Sequence, residues 1–327
     1  MRLLIIICLI CFSGFNNVHA SPAEIKKWNC FSGSFASYEK WISMLVSKNG
    51  GESEELRMKL ETMFPEASYD LTKNTLRCTN FIYESNGHPV HGFLVRPQNV
   101  NMDNKLPVIV YNRGGNGTFG AINFAKFIEK IFPMAMKGYV VIGSQYSGFP
   151  SSKNGDDEFG GKDVDDVKAL FAIIDSLPFA NSNRVALFGF SRGGIMAFSA
   201  AKQSKRKLAI ALASTPTDLE LELKFRPEME KVYKARIPNY EKEKSQQLRE
   251  RSIVHMLEDV NSEIPILIFN TFDDEKVFTS SNNAFLSKLK EKGFKFKIVT
   301  YSDGGHEFKD SYYSLIDELD LWLKELR

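Results

Sequence analysis

The chain has 327 residues, 43% of them hydrophobic and 25% charged, an ordinary globular composition with enough apolar material for a large core. Its formal charge of +2 and the lack of a dense Lys/Arg cluster argue against a nucleic-acid surface. The length allows one large α/β domain or two smaller ones.

Met1-Arg2 precedes the apolar run Leu3 to Phe12, and Val18-His19-Ala20 closes the segment on a small residue. That order predicts a signal peptide over residues 1–20, cleaved after Ala20. A membrane anchor needs about 20 apolar residues, whereas Asn16 and Asn17 interrupt this run. A lipid anchor at Cys11 is disfavoured by the bulky Ile10 before it. The mature chain is therefore expected to be secreted or periplasmic, with no membrane contact after cleavage. Cys8 and Cys11 leave with the signal, so Cys30 and Cys78 remain. In an oxidising compartment such a pair is expected to form a disulfide, the alternative being two buried thiols.

Ser37 to Val46 and Glu54 to Phe64 carry apolar residues at three-to-four spacing and predict short helices. Residues 76–85 and 88–97 alternate around Asn86-Gly87, the signature of a tight hairpin. From Leu106 the pattern changes. Apolar runs at 106–112, 139–145, 184–190, 208–214, 265–271 and 296–302 predict strands. Helical stretches at 121–136, 164–177, 193–203, 280–292 and 311–326 separate them. Near-continuous apolar strands between amphipathic helices mean a mostly parallel sheet covered on both faces. With the hairpin, eight strands are expected. Residues 216–260 make a connection far longer than an ordinary loop. This charged insertion is read as a helical lid over the strand ends, with Leu219, Leu221, Phe225, Tyr233, Ile237 and Tyr240 as its substrate face; the alternative is a solvated excursion.

Gly189-Phe190-Ser191-Arg192-Gly193 falls directly after the fifth of these strands and opens a helix. That is the setting of a nucleophilic serine, because a Cβ two residues either side would strike the adjoining strand or helix. A serine needs a base. His88 and His91 lie on the hairpin, where residues three apart point to opposite faces and no metal pair is expected. His255 lies in the insertion. His306 follows a glycine-rich loop after the last strand and is the candidate base. Asp273 and Asp274, at the end of the seventh strand, offer the carboxylate that orients it. The order Ser, Asp, His is that of the α/β-hydrolases. Acyl transfer also needs oxyanion donors: the Arg192 N–H and one from the loop at 111–120, with Gly115 preferred. Gly114 and Arg113 are substrate-binding candidates, Arg113 as an ion-pair partner or a clamp for a substrate carboxylate. The same loop lacks the Gly-Lys-Ser/Thr ending of a phosphate loop. No metal or cofactor is expected, and the oligomeric state is open.

The residues "YESNGHPVHGFLVRP", "GFSRGG", "NTFDDEKV" and "GGHEF" resemble the entry hairpin, nucleophile turn, aspartate loop and histidine loop of the prolyl-oligopeptidase/dipeptidyl-peptidase family of serine hydrolases. The resemblance runs over the hairpin and everything after it, and "DEFGGKDVDDVKALFAIIDSL" also fits the segment leading into the nucleophile strand. It implies an α/β-hydrolase fold over 76–327, an N-terminal helical extension over 21–75, and cleavage of peptide or ester bonds in a small-molecule or peptide substrate. It favours Asp274 over Asp273, because the family's aspartate shortly precedes a valine, here Val277. Two departures stand out. The stretch before the hairpin is too short for the family's propeller, and Arg113 stands where its peptidases place an oxyanion tyrosine or histidine. Carboxylesterase action is the alternative, and a binding protein on a catalytically idle hydrolase fold is the alternative of another class.

Overall fold

Among the described residues, nine strands form one sheet in the order β1-β2-β3-β5-β4-β6-β7-β8-β9. The computed structural model describes residues 26–49, 51, 53–150 and 155–326. The signal segment expected over 1–20 lies outside the described residues. The strands are β1 (Lys27–Asn29), β2 (Leu76–Ser85), β3 (His88–Pro97), β4 (Leu106–Asn112), β5 (Val140–Ser144), β6 (Ala180–Phe190), β7 (Leu208–Ala213), β8 (Ile266–Thr271) and β9 (Phe296–Tyr301). The first four in spatial order pair antiparallel and all later neighbours pair parallel. This corrects the expected eight strands by one. β1 is only three residues long, too short to show an alternating pattern, and it adds to the free edge of the hairpin through Trp28 opposite Asn80.

Three N-terminal helices precede the hairpin: α1 (Tyr38–Lys48), α2 (Glu54–Met63) and α3 (Glu66–Thr75). The third begins behind Pro65, a residue suited to a helix start, and its mostly polar sequence gave no apolar stripe to find. Residues 124–136 fold as α4 (Phe124–Lys126), a five-residue π-turn and α5 (Phe132–Met136). Then come α6 (Val164–Ser176) and α7 (Arg192–Lys202). The insertion holds α8 (Leu219–Phe225), α9 (Met229–Arg236), α10 (Tyr240–Glu250) and α11 (Ile253–Met256), and α12 (Asn283–Glu291) and α13 (Tyr312–Glu325) complete the order.

Alternation along the central strands assigns each residue to one face. Val108, Val110, Val185 and Leu187 point to the core shared with α6, α7, the insertion and α12. Ile109, Tyr111, Ala186 and Phe188 point to the core shared with α4, α5, α13 and the N-terminal helices. Trp41, Tyr69 and Phe124 pack together there, with Trp41 and Phe124 rings 4.9 Å apart. The N-terminal segment thus shares a core with the sheet. Cys30 and Cys78 join in a disulfide with their Cα atoms 5.4 Å apart, and the Cys30 N–H donates to the Cys78 carbonyl. Among the described residues no helix is long and apolar enough to cross a membrane.

Candidate active site

At the end of β6 the chain turns sharply into α7, and Ser191 occupies the turn at φ 54°, ψ −127°. A serine in this region is strained, and the surroundings must hold it there. The neighbours show how. The Ser191 N–H donates to the Ala213 carbonyl at 2.8 Å, and the Ser191 carbonyl accepts the Gly194 N–H at 2.9 Å. A Cβ at Gly193 would stand 2.0 Å from the Asn112 carbonyl oxygen, and one at Gly189 would stand 2.4 Å from the Gly194 Cα. Both glycines are therefore required by contact, as the spacing in the sequence predicts. With β1 counted, the turn follows the sixth strand.

The structure brings Ser191, His306 and Asp274 into one hydrogen-bonded chain. His306 Nε2 lies 3.0 Å from Ser191 Oγ, and His306 Nδ1 lies 3.0 and 3.1 Å from the two Asp274 carboxylate oxygens. Asp274 is 4% exposed. Burial works against its charge, but the His306 imidazole and the Val277 N–H outweigh it and hold its pKa below the usual carboxylate range. The two neighbouring aspartates do different work. Asp274 Oδ1 accepts the Lys276 and Val277 N–H groups and so closes its own loop. Asp273 accepts the Gly304 and Gly305 N–H groups at 3.2 and 2.8 Å and shapes the turn that presents His306.

The loop after β4 lies against Ser191. A Cβ at Gly114 would reach the Ser191 Cβ at 3.0 Å. The N–H groups of Gly114, Gly115 and Arg192 have no acceptor among the described residues, so they are available to a developing oxyanion. Arg113 neither pairs with an acid nor offers a free donor for a substrate carboxylate. It is 1% exposed, and its guanidinium donates to the carbonyls of Gln145, Gly114, Phe119 and Gly117. Burial and nearby Arg192 lower its pKa to about 10, which leaves it charged at neutrality. Its role in the structure is to knit the 113–119 loop together.

Sequence reasoning missed the side chain of Arg192 and its two partners. Arg192 is 2% exposed and forms ion pairs with Asp157, at 2.8 Å, and with Asp163. It also donates to the Gly115 carbonyl at 2.9 Å, and its guanidinium lies 4.8 Å from the Phe159 ring. Asp157 in turn accepts the Gly117 N–H at 2.6 Å. One buried cluster thus ties the residue after Ser191 to Gly115 and Gly117 of the glycine loop. Burial pushes Asp163 up to about 6 against the pull of Arg192. The signal was present as Asp157 and Asp163 flanking Phe159-Gly160-Gly161, but nothing in the sequence says that both reach one arginine.

A cavity of about 330 Å³ opens beside Ser191 and His306, lined also by Gly114, Gly115, Phe159 and Phe190. Residues 216–260 contribute Pro216, Glu222, Arg226, Met229 and Tyr233 to its wall. Of the six apolar residues expected to face substrate, only Tyr233 lines it. Leu219, Ile237 and Tyr240 are buried in the core below, and Phe225 packs outside on Phe278 with ring centroids 5.2 Å apart. The hairpin histidines are occupied elsewhere: His88 bonds Ser147 at 2.7 Å, and His91 packs on Trp28 with ring centroids 5.8 Å apart. His255 lies on α11 and does not line this cavity.

Residues 125–326 match the prolyl oligopeptidase family, Peptidase S9. The chain belongs to this family. A relative is an uncharacterized peptidase, YtmA, of Bacillus subtilis strain 168, 24% identical over 251 residues that cover 76% of this chain and 94% of the relative. Among solved structures, the acylaminoacyl peptidase of Pyrococcus horikoshii superposes with a TM-score of 0.63 at 21% identity, covering 78% of this chain and 42% of the other. An acetyl xylan esterase from Paenibacillus sp. R4 superposes with a TM-score of 0.58 at 15% identity, covering 78% of this chain and 92% of the esterase. At these identities the likeness establishes the α/β-hydrolase fold. The chain spans less than half the length of the acylaminoacyl peptidase.

Proposed function

We propose that this protein is an exported serine hydrolase that cleaves peptide or ester bonds of small substrates through an acyl-enzyme. The observation that carries the reading is the continuous hydrogen-bonded chain Asp274–His306–Ser191, opening into a cavity beside unpaired backbone donors. In this reading Ser191 Oγ attacks the scissile carbonyl carbon while His306 Nε2 takes its proton. The carbonyl oxygen becomes an oxyanion that accepts the Arg192 and Gly115 N–H groups. The tetrahedral species then collapses, and His306 returns the proton to the departing amine or alcohol. Water, deprotonated by His306, attacks the acyl-Ser191 ester and releases the acid. Asp274 holds the Nδ1–H tautomer and stabilises the imidazolium that forms twice per cycle.

Peptidase action is supported by membership of the prolyl oligopeptidase family, and esterase action by the near full-length likeness to the acetyl xylan esterase fold. Export with cleavage after Ala20 is supported by the Cys30–Cys78 disulfide, which an oxidising compartment favours. The deciding experiment sets matched peptide anilides and acyl esters before the purified mature protein. Turnover of both classes, abolished in Ser191→Ala, is the expected result. Turnover that survives in Ser191→Ala, or none on either class, would refute the reading.

A further inference from the structure

We propose that Glu222, on the insertion helix α8, is a specificity-determining residue that binds a cationic group, a primary ammonium or a guanidinium, carried on the acyl half of the substrate. The inference rests on the reading of Ser191 as the nucleophile. Of the charged side chains in the cavity wall other than Glu222, Arg226 and Lys276, each is engaged within the protein. Arg113 is engaged by four carbonyls, and Arg192 by Asp157 and Asp163. Lys130 donates to the Glu307 carbonyl at 2.7 Å and sits 3.9 Å over the Tyr312 ring. Lys126 pairs with the Glu307 carboxylate at 3.3 Å.

Glu222 differs from all of these. It is 2% exposed, yet its Oε1 has no hydrogen-bond partner among the described residues. Arg226, one helical turn on, forms an ion pair with it at 3.6 Å, a length beyond ordinary hydrogen-bond reach, and its guanidinium is shared with Glu228, whose carboxylate meets Nε at 3.1 Å. A buried carboxylate left this way is costly unless something completes its shell. Burial pushes the Glu222 pKa up to about 7, with Arg226 pulling it down and the negative charge of Asp274 adding to the rise. A cation entering the cavity would give Oε1 the hydrogen-bond donor that Arg226 does not supply and relieve the repulsion from Asp274.

The side of the cavity follows from the chemistry. A leaving group must lie over His306 Nε2 to receive its proton, and it is assigned the part of the lining beside Glu307, which Lys126 and Lys130 hold. Glu222 belongs to the insertion, beside Tyr233, whose ring packs on Phe159 at 5.1 Å between centroids. A group held there extends from the acyl carbon. Two sources share this chemistry, a free α-amine and a lysine or arginine side chain.

The test uses two matched pairs of esters: Nα-acetyl-lysine against Nα-acetyl-norleucine, and alanine with its amine free against N-acetylated. Phosphonates bearing a butylammonium or a butyl side chain add a Ser191-labelling rate that needs no turnover. Wild-type protein should favour the cationic member of at least one pair by about 10- to 100-fold, the range expected of a hydrogen bond to a charged group; which pair shows it identifies the source. Glu222→Gln should erase that preference and leave kcat/KM on the neutral members within about twofold. No preference in either pair, or an equal loss on cationic and neutral members in Glu222→Gln, would overturn the inference while Ser191 still labels. Failure of every phosphonate to label Ser191 would instead remove the hydrolase reading, and the inference with it.

Discussion

Replacing Arg192 by Met isolates the contribution of the cluster behind the nucleophile. The guanidinium is 2% exposed and neutralises Asp157 and Asp163, which are buried with it. Methionine fills much of the volume but leaves two carboxylates without a counter-charge. Removing one member of a buried ion pair costs about 3–5 kcal/mol. At roughly 2–4 °C per kcal/mol for domains of ordinary size, the melting temperature should fall on the order of 6–20 °C. The sign of the pH dependence follows from Asp163, whose folded pKa of about 6 lies above its ordinary value. A carboxylate raised on folding favours the native state below its unfolded pKa, and that advantage is lost as pH rises through the folded one. Without Arg192 the rise is larger still, so the deficit should be smaller at pH 5 than at pH 8. Turnover should fall too, because Arg192 holds the Gly115 carbonyl at 2.9 Å; loss of a single oxyanion donor costs about 10²–10³-fold. Thermal unfolding followed by near-ultraviolet circular dichroism, with kcat measured well below the transition, gives both readings. Adding Asp157→Asn and Asp163→Asn to Arg192→Met should restore part of the stability. A melting temperature within about 2 °C of wild type at pH 8 would refute the reasoning.

Further outcomes follow from other contacts. Asp274→Asn should lower kcat by about 10⁴-fold through the wrong imidazole tautomer, while Asp273→Asn, whose amide oxygen can still accept the Gly304 and Gly305 N–H groups, should stay within about tenfold; the reverse order would show that the two loop roles are exchanged. Cys30→Ser/Cys78→Ser opens a disulfide that spans 48 positions, and should cost about 2–4 kcal/mol in denaturant unfolding with kcat unchanged at 20 °C. Glu222, whose pKa of about 7 is raised by burial and by Asp274 and Glu228 and lowered by Arg226, destabilises the fold progressively as pH rises toward 7. Glu222→Gln, which cannot ionise beside these groups or the Tyr233 hydroxyl, should therefore gain melting temperature over wild type between pH 5 and pH 8, and a constant difference would count against the buried charge.

The parts of the site that were legible in the sequence are those fixed by local chain geometry. Ser191 announces itself because only glycine fits at 189 and 193, and His306 because a glycine loop follows a strand. Choosing Asp274 over Asp273 came from the family resemblance, since both aspartates sit at the same strand end and only the tertiary contacts separate their tasks. Side-chain destinations were less legible. Leu219, Ile237 and Tyr240 have the composition of a substrate-facing lid, yet the larger gain in burial lies beneath, in the core with α6 and α7, and this leaves Glu222 and Arg226 facing the cavity. Arg113 looks like an anion clamp until its carbonyl partners are counted. The cluster of Arg192 with Asp157 and Asp163 joins positions 29 and 35 apart, contacts that no local pattern encodes. The hairpin and six parallel-type strands were readable from their alternation and apolar runs, whereas three-residue β1 and polar α3 are ordered by what they pack against.

The central claim is that Ser191 is a nucleophile activated by His306. The most direct measurement treats the purified mature protein with a fluorophosphonate and identifies the modified residue by peptide mass spectrometry. The account predicts one adduct, on the peptide containing Ser191, formed much more slowly in His306→Ala and absent in Ser191→Ala. A folded protein that forms no adduct, carries it on another residue, or labels equally fast without the imidazole would contradict it.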